Sequence, residues 1–169
     1  MVIRIAEAED APKIAYIHVE TWRAAYRGQI ADAVLDALDV GRGMDMWRGR
    51  IKNAHGVIFI AEEKGNITGF CDLIPSRDPD ADPQTVAEIV AIYVLPAQWG
   101  KGVGRALCDS AVAEARRQGF KAMTLWVLAT NQASQLFYQA MGFHADGASK
   151  TEKAIGGSDL HEVRFRMEI

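Results

Sequence analysis

Apolar positions along the chain change period several times, and each change predicts an element. Residues 2–6 form a short β-like run. Asp10 then stands as a helix cap with Pro12 in the first turn. Ile14, Ile17, Val19, Trp22 and Tyr26 carry that helix to its end near Gly28. A second helical stretch covers residues 31–38, and a third, with Met44, Trp47 and Ile51, runs to about Asn53. The period then shortens. Residues 57–62 and 67–74 read as the strands of a hairpin turned at Gly65-Asn66.

Residues 75–83 are a loop by their proline, serine and aspartate content. The most continuous apolar run covers residues 86–95 and suits a strand covered on both faces. A glycine cluster follows Pro96, and a helix over residues 103–118 is closed by Gly119. Another strand covers residues 121–128. Asn131 opens a short helix to Met141, and Gly142 stops it. Residues 143–148 read as a strand, 150–158 as polar loop and 160–169 as a last, alternating strand. With no internal repeat or interdomain linker, this order predicts one α/β domain over residues 1–169, built on a mixed sheet.

Composition narrows the class. The 169 residues are close to one ordinary domain of roughly 150. At 49% apolar and 24% charged, the chain has globular composition. A net charge of −3 argues against a nucleic-acid partner, and Arg116-Arg117 is too small a basic pair to reverse that. The N-terminus lacks an apolar signal core, and no apolar run approaches the roughly 18 residues of a spanning helix. A cytoplasmic protein without a membrane partner is expected, with Cys71 and Cys108 reduced. His18, His55, His144 and His161 are scattered without ligand spacing, so no metal is expected. The chain has no Gly-x-Ser-x-Gly for a serine hydrolase.

Glycine is mildly enriched, at 15 residues or about 9% against an average of about 7%. Gly100, Gly102 and Gly104 alternate between the strongest strand and a helix. Backbone N–H groups can approach an anion there, the helix dipole adds positive potential, and Lys101 and Arg105 add charge. The spacing fits neither the nucleoside-triphosphate loop nor the dinucleotide fingerprint. A ligand-free tight turn is the alternative. A second constellation is Asn131-Gln-Ala-Ser-Gln-Leu-Phe-Tyr-Gln-Ala-Met-Gly-Phe. Alone it reads as a capped helix with Tyr138 as a packing residue.

Together the two constellations resemble the acetyl-coenzyme A site of the GNAT superfamily of N-acetyltransferases. That family carries Arg/Gln-x-x-Gly-x-Gly/Ala after its central strand and Asn-x-x-Ala/Ser-x-x-Phe/Tyr-Tyr-x-x-x-Gly-Phe some thirty residues later. One departure is Trp99, which stands where the family often has Arg or Gln, with Gln98 one place off. The resemblance implies a mixed, mostly antiparallel sheet with splayed central strands, flanked by helices. It also implies acetyl transfer from acetyl-coenzyme A to an amine, and a family in which homodimers are common. By the same resemblance, Ile92, Tyr93 and Val94 meet the pantetheine arm. Amides of Trp99, Gly100, Lys101, Gly102, Val103, Gly104 and Arg105 hold the pyrophosphate. Asn131 reaches the pantetheine, and Ala133 and Phe137 pack near it.

The chemistry requires an acceptor ammonium to lose a proton, a thiolate to gain one and an oxyanion to be stabilised. Glu88 on the central strand is the candidate base, against a reading in which it faces solvent at a strand start. Tyr138 matches the family's acid position, and the Val94 N–H is the candidate oxyanion donor. His18, Trp22 and Tyr26 share one helical face, so Trp22 and Tyr26 are candidates for an amine pocket, with core packing as the alternative. Asp78, Asp80 and Asp82 read either as attractors of a cationic acceptor or as a solvated loop. The acceptor is a small amine or the N-terminal or lysine amine of a protein. The competing class is a non-catalytic module that binds acetyl-coenzyme A as a sensor, and a longer acyl chain is a further alternative.

Overall fold

A computed structural model describes residues 1–53, 55–153 and 159–169. The chain runs β1 (Val2–Ile5), α1 (Ala11–Ala25), α2 (Asp32–Asp36), α3 (Val40–Lys52), β2 (Val57–Glu63), β3 (Asn66–Pro75) and β4 (Val86–Val94). It continues through α4 (Val103–Gln118), β5 (Ala122–Leu128), α5 (Gln132–Ala140), β6 (His144–Lys153) and β7 (Asp159–Glu168). This is the order the hydrophobic pattern predicts, with short 3-10 turns before α1 and after β4. Residues 150–153 extend β6, and the remainder of the expected polar loop, 154–158, lies outside the described residues.

One seven-stranded sheet has the order β1-β2-β3-β4-β5-β7-β6. Among the described strands of this sheet only β4 and β5 pair in parallel, joined by the α4 crossover. Ile14 and Ile17 of α1, with Trp47 of α3, cover one face above Ile58, Ile60 and Phe70. Leu107, Cys108 and Ala111 of α4 cover the other face, above Leu73, Ile89 and Leu125. Both cysteines are free and buried. Among the described residues no helix is long and apolar enough to cross a membrane.

Two local features differ from the pattern reading. Asp10 precedes α1 but does not cap it with its side chain. Its carboxylate instead accepts from the Glu7 N–H (2.8 Å) and from Arg4 Nη1 (2.7 Å). The β2–β3 turn is Lys64-Gly65, one residue earlier than Gly65-Asn66. Both turn residues have positive φ, 50° and 77°, as a two-residue hairpin whose twist matches its strands requires.

The register of β4 prepares the site. Its pairing with β3 passes from Ile89–Leu73 directly to Ala91–Asp72, leaving Val90 unpaired in a bulge. A bulge bends its strand and raises the local twist. Parallel pairing with β5 stops at the same point: Ile89–Leu125 is its last pair, although β4 continues to Val94 and β5 to Leu128. The two central strands therefore diverge beyond Ile89.

Candidate active site

A cleft of about 1000 Å³ opens between the diverged halves of β4 and β5. The N-terminal residues of α4 and α5 line it, together with Trp22, Tyr26, Trp126, Leu160 and Glu162. The Leu95 N–H donates to the Thr68 carbonyl at 2.9 Å, which sets the phase of the β3–β4 ladder. Tyr93 and Ala91 consequently pair with β3, while Val94 and Ile92 turn their main-chain groups toward the gap. The Val94 carbonyl is taken by two side chains, Thr21 Oγ1 at 3.1 Å and the Trp99 indole N–H at 2.7 Å. Trp99 thus braces the turn against the end of β4, a role that a guanidinium or amide at that position is not needed to fill.

The glycine turn follows. Gly100 and Gly102 have φ of 73° and 84°, a region in which a side chain is strained, and each has open space where a Cβ would stand. Gly104 is different: it lies inside α4, where an added Cβ would meet the Phe137 ring at 3.4 Å. Among the described residues no side chain caps α4, and its first intrahelical bond runs from Ala106 N–H to the Gly102 carbonyl. The N–H groups of Val103, Gly104 and Arg105 are therefore left without intrahelical partners where these residues line the cleft. The Arg105 side chain adds a cation to this end. Lys101 is not among the lining residues.

On α5, Asn131 caps the helix by accepting from the Ser134 N–H at 3.1 Å. Asn131, Ala133, Phe137 and Tyr138 all line the cleft. The Tyr138 ring packs between Phe137 and Phe143, with centroids 5.1 and 6.0 Å away. Its hydroxyl has no hydrogen-bond partner among the described residues, yet is not sealed from the cleft. Burial pushes this phenol above its ordinary range, so it carries its proton at neutral pH.

The helix-one stripe divides. Trp22 and Tyr26 reach the cleft, and the Trp22 indole N–H donates to the Tyr93 hydroxyl at 2.8 Å. His18 stays behind them, stacked on Tyr93 at 5.2 Å, with Nδ1 accepting from the Trp47 indole at 3.3 Å. Glu88 neither faces solvent nor lines the cleft. Its carboxylate is 3% exposed and accepts from the Arg77 main-chain N–H and Nε, each at 3.1 Å, and from Nη2. The loop acids are also engaged. Asp78 and Asp80 bind Arg164, and Asp82 accepts from the Gln84 N–H. Glu162 also lines the cleft, and nothing in the sequence marks it, because it sits among the polar positions of an alternating strand.

The family model described as Acetyltransferase (GNAT) family matches residues 19–143. The chain is 31% identical to the uncharacterized N-acetyltransferase YuaI of Bacillus subtilis, over 97% of this chain and 96% of that protein. It is 30% identical to the L-amino acid N-acyltransferase MnaT of Escherichia coli, over 85% of this chain and 79% of that one. The structure of yncA from Salmonella typhimurium with acetyl-CoA superposes with a TM-score of 0.74 at 25% identity, covering 99% and 93% of the two chains. The fold is also that of a PaiA N-acetyltransferase from Thermoplasma acidophilum in complex with coenzyme A, with a TM-score of 0.76 at 20% identity and full coverage of both chains.

Proposed function

Because the chain belongs to the GNAT acetyltransferase family, we propose that it moves an acetyl group from acetyl-coenzyme A to a primary amine by direct attack. The observation carrying this reading is the open edge of β4, which leads into unpartnered amides at the start of α4. Main-chain groups of Ile92 and Val94 would pair with the pantetheine arm beside Tyr93, with Asn131, Ala133 and Phe137 opposite. The amides of Val103, Gly104 and Arg105 would meet the pyrophosphate, with Trp99, Gly100 and Gly102 shaping the turn and Lys101 adding charge. The relatives' acetyl-CoA and coenzyme A complexes support this placement.

The chemistry then falls to groups beside the thioester. The Val94 N–H points into the gap and suits the oxyanion of the tetrahedral intermediate. Tyr138 offers a protonated hydroxyl to the departing thiolate. Glu88 does not enter this scheme as a base in direct contact, because Arg77 saturates its carboxylate away from the cleft lining. Trp22 and Tyr26 wall the acceptor end, which suits a small amine or the amine of a peptide N-terminus or lysine. Free-thiol release from acetyl-coenzyme A, measured over a panel of primary amines including amino acids and peptides, tests the reading. Release that depends on one of these amines is expected. Binding without release on any amine would instead indicate a non-catalytic acetyl-coenzyme A module.

A further inference from the structure

Among the described residues lining the cleft, Glu162 of β7 supplies the only carboxylate. It pairs across the sheet with Leu128, the last residue of β5, and so stands where β5 has parted from β4. Its side chain is 22% exposed. Lys150 Nζ lies 3.4 Å from Oε2, and no other described donor reaches this carboxylate. That lysine does not line the cleft. It is held from behind, 2.7 Å from Glu152 and 4.5 Å from the centre of the Trp126 ring. Glu162 therefore brings a carboxylate to the cleft that Trp22, Tyr26, Trp126 and Leu160 also line.

We propose that Glu162 receives the acceptor's ammonium group and removes its proton, while the acceptor's apolar part rests on Trp22, Tyr26 and Trp126. This rests on the acetyltransferase reading and adds to it the residue that prepares the nucleophile. The aromatic walls offer the acceptor's apolar part a surface, and the carboxylate fixes where the nitrogen stops. Burial pushes Glu162 above the ordinary carboxylate range, against the pull of Lys150. That brings its basicity closer to the range in which a base works at neutral pH. The charged and titratable groups around it are Lys150 and Glu152 of β6, Glu88 and Tyr93 of β4, and Tyr26 at the end of α1.

The protons balance. Glu162 takes one proton from the ammonium and passes it to solvent, and the neutral nitrogen forms its bond to the thioester carbon. The carboxylate then takes a second N–H proton from the tetrahedral intermediate. As the C–S bond breaks, the thiolate takes the Tyr138 proton, and the proton on Glu162 returns to the phenolate through solvent. The products are amide, free thiol and one released proton.

Glu162→Gln keeps the shape and removes the basicity. On whichever panel amine the wild type acetylates fastest, the variant is expected to lose about 10²-fold in kcat/KM, the usual worth of a general base. Its acetyl-coenzyme A Kd should stay within twofold by calorimetry. Its kcat/KM should climb with pH toward the pKa of the free amine, while the wild type levels off earlier. Glu162→Asp should recover the wild-type profile at reduced rate. A Gln variant that keeps both rate and profile overturns the assignment to Glu162 and leaves the acetyltransferase reading standing. A wild-type protein that binds no acetyl-coenzyme A overturns both.

Discussion

Protonating His18 would place a cation inside a box of aromatic rings. Tyr93 stacks on it, Trp22 and Trp47 meet it edge-on at 5.4 and 5.7 Å, and Nδ1 already accepts a hydrogen bond. Burial pushes its pKa down to about 4, against an unfolded value of about 6.5. Between these values the unfolded chain binds more protons, so stability is whole above pH 6.5 and drains as pH falls toward 4. The loss amounts to at most about 3 kcal/mol. Urea midpoints at pH 7 and 4.5 should separate more in the wild type than in His18→Gln, whose amide can still accept from Trp47. Equal separations would place the acid sensitivity elsewhere. Tyr138 makes the complementary case. Tyr138→Phe should lower kcat about 10²-fold while leaving acetyl-coenzyme A affinity within twofold. An unchanged kcat, with chemistry limiting, removes Tyr138 as the acid. At this scale Trp22 and Tyr26 were legible because a helix repeats every 3.6 residues. Glu162 was not: alternation puts it on one face of β7 with Leu160 and Arg164, and whether that face meets solvent or a cleft depends on how β5 leaves β4.

Elements are where sequence and structure agree most closely, and where the exceptions teach most. The strand–turn–helix from Val86 to Gln118 could be read from one apolar run and its glycines. The bulge could not, because Val90 lies inside an unbroken run of apolar residues and nothing local marks it. The three glycines also proved unlike one another. Gly102 ends the turn with φ at 84° and no atom near its missing side chain, so an alanine there meets strain without collision. Gly102→Ala should cost about 1–2 kcal/mol in stability. Relief of that strain would re-aim the first amides of α4, so acetyl-coenzyme A Kd should rise at least tenfold by calorimetry. An unchanged Kd would mean that the pyrophosphate is held somewhere other than these amides.

At the scale of the whole molecule, Arg164 ties together parts of the chain that lie far apart in sequence. Its guanidinium reaches Asp78 (3.2 Å) and Asp80 (2.7 Å) in the loop between β3 and β4, and Asp146 (2.7 Å) in β6. It also lies over the Trp126 ring, whose indole N–H donates to Asp78 at 2.9 Å. Asp78 and Asp80 are thus tied to a guanidinium within the fold, and composition alone could not separate this from a field awaiting a cationic acceptor. Arg164 and Asp78 are 11% and 10% exposed, between the surface pairs that contribute little and the buried ones whose breakage is severe. Arg164→Met should therefore cost about 2 kcal/mol, read as a lower denaturation midpoint, because Asp78 and Asp146, both mostly buried, lose their cation. Asp80→Asn should cost far less, because that carboxylate is 61% exposed. The consequence for activity is directional. Trp126 lines the cleft with Trp22, Tyr26 and Glu162, where we propose that the acceptor sits, whereas among the described residues no hydrogen bond or ion pair joins Arg164 to the first turn of α4. Arg164→Met should accordingly raise KM for the amine several-fold and leave acetyl-coenzyme A affinity within twofold. An equal loss at both ends would mean that the clasp holds the whole cleft open, instead of setting only its acceptor wall.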